Sequence, residues 1–196
     1  MADLKIAVVL GSTRTGRLGE PVANWIMDFV ADRPAADYEL VDLRDYPMPF
    51  FDGISPAYVP PSDPTVQAFA AKIAEFDGYV FVTPEYNHSF SAVLKNALDS
   101  IYGEFNNKAA GFASYGSLSG ARAVEQLRCV ASELQLAHVR AQLAFSIFHD
   151  FENFGTADVK FAPGPQHAAG GEALFGQLEA WAGALQQVRT DAAVAA

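Results

Sequence analysis

The chain has 196 residues, a formal net charge of −10, and 51% hydrophobic against 18% charged residues. That length and balance suit one globular domain with a sizeable core and exclude a disordered chain. The acidic charge argues against non-specific nucleic-acid binding, which needs Lys and Arg to neutralise phosphates, but a few local cations and backbone N–H groups can still hold an anionic ligand.

The first element is Ile6-Ala7-Val8-Val9-Leu10, an apolar run that reads as a buried strand. Glu20 to Ala31 follows as a helix, with Val22, Ile26, Phe29 and Val30 at helical spacing and Pro21 near its start, where a missing N–H does no harm. Tyr38 to Leu43 is a weaker strand. Residues 44–63 hold Pro47, Pro49, Pro56, Pro60 and Pro61 and read as a long loop. A second helix is expected from about Thr65 to Phe76, begun by Ser62 to Pro64, and Tyr79 to Thr83 is a strand rich in β-branched and aromatic residues. Ser91 to Ile101 is a third helix and Ala109 to Ser114 a strand of small residues. Gly120 to Leu136 is a fourth helix, with Ala123, Leu127, Ala131 and Leu134 facing inward. Val139, Ala141, Leu143 and Phe145 alternate with polar residues, as an edge strand with one wet face does. Asp150 to Gln166 reads as irregular. Leu174, Leu178, Trp181 and Leu185 mark a terminal helix.

Five strands alternating with five helices imply a parallel sheet with helices on both faces. The chain, residues 1–196, is expected to form a single three-layer α/β domain with strand order 2-1-3-4-5. Ligands of such sheets bind beyond the carboxyl ends of the strands, at the switch point between strands one and three. Three loops lie there.

Gly11-Ser12-Thr13-Arg14-Thr15-Gly16-Arg17-Leu18-Gly19 joins the first strand to a helix N-terminus. Free N–H groups, the helix dipole, three hydroxyls and two arginines favour a phosphate monoester. The loop is not a P-loop, because Arg17-Leu18 stands where Lys-Ser/Thr is needed, and the middle glycine of the dinucleotide fingerprint is missing. Asp42 reads as an ordinary strand-end acid. Pro84-Glu85-Tyr86-Asn87-His88-Ser89 can present backbone groups to the edge of a planar heterocycle, with Tyr86 as a wall. Glu85 reads as an exposed acid, a salt-bridge member, or part of that edge; His88 as a polar loop residue or cap, or a group within reach of a bound ring. Tyr115-Gly116-Ser117-Leu118-Ser119-Gly120, after Ser114, lets backbone approach a ring closely.

With their flanking residues, these loops, GSTRTGR, PEYNHS and SYGSLSGARAVEQLR, resemble those of the NADPH-dependent FMN reductase family over about residues 4–145. The resemblance implies a flavodoxin-like fold, FMN as cofactor, and NADPH or NADH as hydride donor. The reaction expected is passage of hydride through FMN to a quinone-like or other small acceptor, or to free FMN, with no catalytic side chain. It implies that Ser12, Arg14, Arg17, Leu18 and Gly19 belong to the phosphate loop. Pro84, Glu85, Tyr86 and Asn87 fall in the ring-facing loop, and Ser114, Tyr115 and Gly116 in a third contact region near the ring. It also implies a homodimer or homotetramer with the flavin near an interface. Ser91 stands where family members often carry Pro, and can still cap the third helix. Residues 102–107 and 148–163 depart from the family pattern. The alternative is a non-enzymatic flavodoxin-like carrier or flavin-binding module, against which Arg14 and Arg17 count.

The one cysteine, Cys129, excludes an intrachain disulfide and is expected to pack as a small apolar residue or to lie at a helix interface. The run Ile6–Leu10 is too short for a signal segment or a membrane span, and no other stretch approaches about 20 apolar residues. A cytoplasmic protein without membrane, nucleic-acid or metal partners is expected. Trp25 and Trp181 are expected to pack helices, and Tyr102 and Phe105 either join the core or cover the flavin of a neighbouring subunit.

Overall fold

A computed structural model describes the backbone of residues 4–195 and the side chains as far as Asp191. In chain order the elements are β1 (Leu4–Leu10), α1 (Gly19–Val30), β2 (Ala36–Asp42), α2 (Pro64–Ala74), β3 (Gly78–Pro84), α3 (Ala92–Asp99), β4 (Lys108–Gly116), α4 (Ala121–Glu133), β5 (Leu136–Ser146), β6 (Phe151–Glu152), β7 (Lys160–Phe161) and α5 (Gln166–Ala195). β1 to β5 form one parallel sheet in the order β2-β1-β3-β4-β5, as expected.

Burial follows from that order. The central strand β3 is buried along its whole length, which is why its sequence is a continuous apolar run. One face of the sheet packs with α2, α3 and α4 around Phe69, Phe81, Phe105 and Leu127. The other packs with α1 and α5 around Ile26, Val82, Phe175 and Leu178. Phe105 is fully buried, so it belongs to the core.

The helices begin where their caps dictate. Asp63 accepts from Thr65 N and Val66 N at the head of α2, and Pro64 follows at the first helical position. Ser91 caps α3 by accepting from Leu94 N at 3.1 Å.

The edge strand β5 departs from simple alternation. Its register with β4 shifts between Ala110 and Phe112, so residues 139–141 bulge out of the ladder. Their stranded backbone groups find side chains instead. Gln177 accepts from Ala141 N at 3.1 Å, and Arg128 donates to Val139 O and Arg140 O.

Three expectations are corrected. Residues 150–166 are not wholly irregular, because Phe151 and Glu152 pair antiparallel with Phe161 and Lys160. Trp181 is 49% exposed, and Ala182 takes the buried position instead. Positions 181 and 182 both satisfy helical spacing, and the close passage of α5 over Gly78 admits only the small side chain. Cys129 lies exposed on α4 rather than packed inward. Among the described residues, no helix is long and apolar enough to cross a membrane.

Candidate active site

The carboxyl ends of β1, β3 and β4 bring the three loops together. Gly11 lies so close to its neighbours that a Cβ there would fall 2.9 Å from Val82 O and 3.0 Å from Leu94. Its N–H bonds to Val82 O at 2.9 Å, and the Ser91 hydroxyl donates to its carbonyl. Ser91 thus caps α3 and ties α3 to the first loop at once.

The first loop then turns through Gly16, whose φ is +64°. Among the described residues, the backbone N–H groups of Ser12, Thr13, Arg14, Thr15 and Gly16 make no hydrogen bond within the protein. They precede a twelve-residue helix and stand in the field of its N-terminus. Such a set of free donors is what an oxyanion requires.

The two arginines of the loop part company. Arg14 is exposed and donates to Gly16 O at 3.1 Å and, from Nε, to the Tyr86 hydroxyl at 3.3 Å. Arg17 is buried, its side chain 4% exposed, and all five of its N–H groups are engaged. They bond to Ser12 O at 2.8 Å, to both oxygens of Asp42, and to Glu20. Hydrogen bonding to Asp42 raises the Arg17 pKa, against the opposing effect of burial. Burial would push the Asp42 carboxyl up, but Arg17 and the Arg44 N–H outweigh it and hold it below the usual range. Asp42 is thus more than a strand-end acid, and Arg17 braces the loop from below instead of turning its donors outward. Arg44, which sequence reasoning missed, braces it from the side by donating to Arg14 O at 2.8 Å and Thr13 O at 3.4 Å. No motif signalled Arg44; its place after β2, beside β1, is set by the sheet order.

The second loop is a tight turn. Tyr86 and Ser89 exchange backbone hydrogen bonds of 2.8 and 3.0 Å, and Asn87 and His88 between them have φ of 50° and 71°. Two consecutive left-handed residues mark a type I′ geometry. The turn is strapped to α4. The Glu85 carboxylate, its side chain 4% exposed, pairs with Arg122 and accepts from Arg122 N at 3.2 Å. Arg122 also donates to His88 Nε2 at 2.8 Å, and Gln126 donates to His88 O at 2.7 Å. Of the readings for Glu85, the structure therefore gives the salt bridge. The Tyr86 side chain is 40% exposed and reaches back to the Ser12 hydroxyl at 3.4 Å.

The third loop abuts the second through Glu85 N and Tyr115 O at 3.0 Å. Gly116 is needed there, since a Cβ would fall 3.1 Å from Glu85 Cβ. Ser114 is fully buried and donates to Ser119 O at 2.7 Å, so it shapes the loop from beneath. The Tyr115 side chain runs beneath the first loop. Its hydroxyl lies beneath Gly19, is buried, and has no hydrogen-bond partner among the described residues. Burial, then Tyr86, raise its pKa above the ordinary phenol range, while Ser12, Arg14 and Arg17 act in the opposite sense. Leu18 and Gly19 lead into α1, and Pro84 ends β3.

A doubly wound parallel sheet with an oxyanion cradle at its switch point and two backbone-rich loops alongside defines a flavodoxin-like protein for a phosphorylated planar ligand. The chain matches the NADPH-dependent FMN reductase family over residues 4–150 and belongs to it. It is similar to an NAD(P)H-dependent FMN reductase of Schizosaccharomyces pombe, 40% identical over 139 residues that cover 67% of this chain and 68% of the relative. It is also 30% identical over 142 residues to a 2-hydroxy-1,4-benzoquinone reductase of Burkholderia sp, covering 72% of this chain and 71% of the relative. Among solved structures, the flavoenzyme NAD(P)H:(acceptor) oxidoreductase FerB of Paracoccus denitrificans shares the fold, with TM-score 0.67 and 19% identity over 94% of this chain and 98% of that one.

The residues present fit FMN on structural grounds. Free N–H groups, the exposed Arg14 and an unpartnered buried hydroxyl at Tyr115 are all suited to a phosphate. A chain without such a ligand leaves that hydroxyl unsatisfied.

Proposed function

We propose that the chain is an FMN-dependent NAD(P)H oxidoreductase that reduces a quinone-like or other small acceptor, or free FMN. The observation that carries this reading is the run of unpaired N–H groups from Ser12 to Gly16 at the start of α1, beside an exposed Arg14. In this reading Ser12, Arg14, Leu18 and Gly19 form the phosphate seat, and Arg17 fixes its shape. Pro84, Glu85, Tyr86 and Asn87 offer the ring a rigid backbone edge, kept in place by Arg122. Ser114 and Gly116 let that edge and the third loop close up, and Tyr115 approaches from below. FMN held there would supply the redox chemistry between NAD(P)H and the acceptor. The protein side chains bind and orient, and none is required to move a proton.

Anaerobic absorbance spectroscopy tests the reading. Protein with added FMN should bleach in the flavin band on NADPH or NADH and recover on benzoquinone. Flavin that binds but does not bleach would identify a carrier instead, and no FMN binding would refute the site.

We further infer a homodimer or homotetramer of single-domain chains in the cytoplasm, where the lone exposed thiol of Cys129 stays reduced. The loop after β2 supports association. Phe50, Ile54 and Tyr58 are 82%, 68% and 84% exposed there, three large apolar side chains in one loop. Asn96 holds Phe50 outward by accepting from Phe51 N and donating to Pro49 O, each at 2.8 Å.

A further inference from the structure

We propose that the Tyr115 hydroxyl is a hydrogen-bond donor to the flavin's phosphate, and that it makes the site select FMN over riboflavin. This role rests on the FMN reading above and separates Tyr115 from its neighbours in the third loop.

Chain position alone groups Tyr115 with Ser114 and Gly116. Successive residues of a strand point to opposite faces, and Tyr115 turns toward the face covered by α1 and α5. There its ring runs under the start of α1, where a Cβ on Gly19 would lie 2.8 Å from the hydroxyl oxygen. Besides burial, the groups that bear on the hydroxyl are Tyr86, the Ser12 hydroxyl, which stands near it but outside hydrogen-bonding geometry, Arg14 and Arg17, and all of them belong to or reach the phosphate loop.

Tyr115 is 4% exposed, and its hydroxyl is the one buried side-chain polar atom without a partner among the described residues. Buried polar groups in folded proteins are nearly always paired, so an orphan at a ligand cradle points to a ligand atom. The ligand atom must accept a hydrogen bond and sit at the N-terminus of a twelve-residue helix, near free N–H groups and a cation. A phosphate oxygen meets these conditions, and the terminal hydroxyl of riboflavin offers no charge to meet them with. Tyr86 does not block the seat firmly. Its hydroxyl is held by contacts of 3.3 and 3.4 Å, long for bonds of an oxygen donor or acceptor. An arriving anion replaces it on Ser12 and Arg14.

Tyr115→Phe tests this, because it removes one oxygen and keeps the ring that lies 6.4 Å from Phe151. The dissociation constants of FMN and riboflavin should be measured by fluorescence quenching on the flavin-free protein, and its melting temperature with and without inorganic phosphate. FMN should bind roughly ten- to a hundredfold more weakly to the variant, as for loss of a charge-assisted bond. Riboflavin affinity should stay the same. The flavin-free variant should melt at the wild-type temperature or higher, since an unpaired buried hydroxyl is gone, and phosphate should stabilise it less than the wild type. An unchanged FMN affinity would overturn the inference. So would an equal loss for both flavins, which would put Tyr115 at the ring, or a lower melting temperature with both flavins weakened, which would make it structural. Wild-type protein that binds no FMN would overturn the cofactor reading itself, whereas wild-type binding with an indifferent variant overturns this inference alone.

Discussion

Replacing Asp42 by Asn should destabilise the fold while leaving FMN affinity intact or improved. Arg17 is 4% exposed and Asp42 20% exposed at the side chain, and two of the five Arg17 hydrogen bonds end on Asp42. Breaking a buried ion pair by removing one partner costs about 3–5 kcal/mol. Here Asn keeps one acceptor, Glu20 still faces Arg17, and Asp42 is partly solvated, so about 2 kcal/mol is expected. For a chain of this size that is a fall of about 4–8 °C in melting temperature. The pH dependence has a definite sign. The folded Asp42 pKa lies below its unfolded value, so its contribution is complete above the unfolded carboxylate range near about 4 and disappears as pH falls through the lower folded value. The gap between wild type and variant should therefore be widest at neutral pH and close in acid. Urea unfolding at several pH values, with FMN titration in parallel, measures both effects. Equal stability at pH 7 would show that Asp42 does not hold Arg17. A large loss of FMN affinity in a folded variant would show that the pair serves the phosphate directly.

Arg14→Ala should weaken FMN binding roughly ten- to a hundredfold, because the exposed arginine of the loop is lost while Arg17 stays locked on Asp42; a titration showing no change would remove Arg14 from the phosphate seat. Lys108 is buried beneath α2, donating to Ile73 O, Ala74 O and the Tyr79 hydroxyl at 3.0–3.2 Å, and burial, helped by Arg189, pushes its pKa down to about 8. The unfolded chain then binds more protons between about pH 8 and 10.4, so wild-type stability should rise across that window relative to Lys108→Met by about 1–2 kcal/mol, the full linkage of about 3 kcal/mol being reduced by solvent screening. Parallel stability curves for the two proteins would contradict this. Phe50→Ser with Tyr58→Ser should shift the protein toward monomer if the exposed loop is an association surface, and light scattering showing a 21.0 kDa wild type would refute the oligomer itself.

Periodicity placed the five main strands and five helices, because burial on one or both faces leaves its mark on each segment separately. It placed the three loops at one end of the sheet, because strand order and the right-handed crossover leave few alternatives. The minor hairpin of β6 and β7 was missed, since two-residue strands carry no period.

The chemistry of the phosphate loop was legible as composition: glycines, hydroxyls and arginines between a buried strand and a helix. What composition could not show was which arginine faces outward. Arg14 and Arg17 are equivalent as letters, and only the arrival of Asp42 at the end of β2, beside β1, draws Arg17 beneath the loop. The same holds for Glu85, whose partner Arg122 comes from the start of α4, and for Arg44, which no motif announced. Trp181 and Ala182 both fit the helix, and a glycine in β3 decided between them. Local pattern is written in neighbouring residues and survives in the sequence. Pairing between side chains far apart in the chain depends on strand order, register and facing direction together, and for Tyr115 those three turn a residue of the third loop toward the floor of the first.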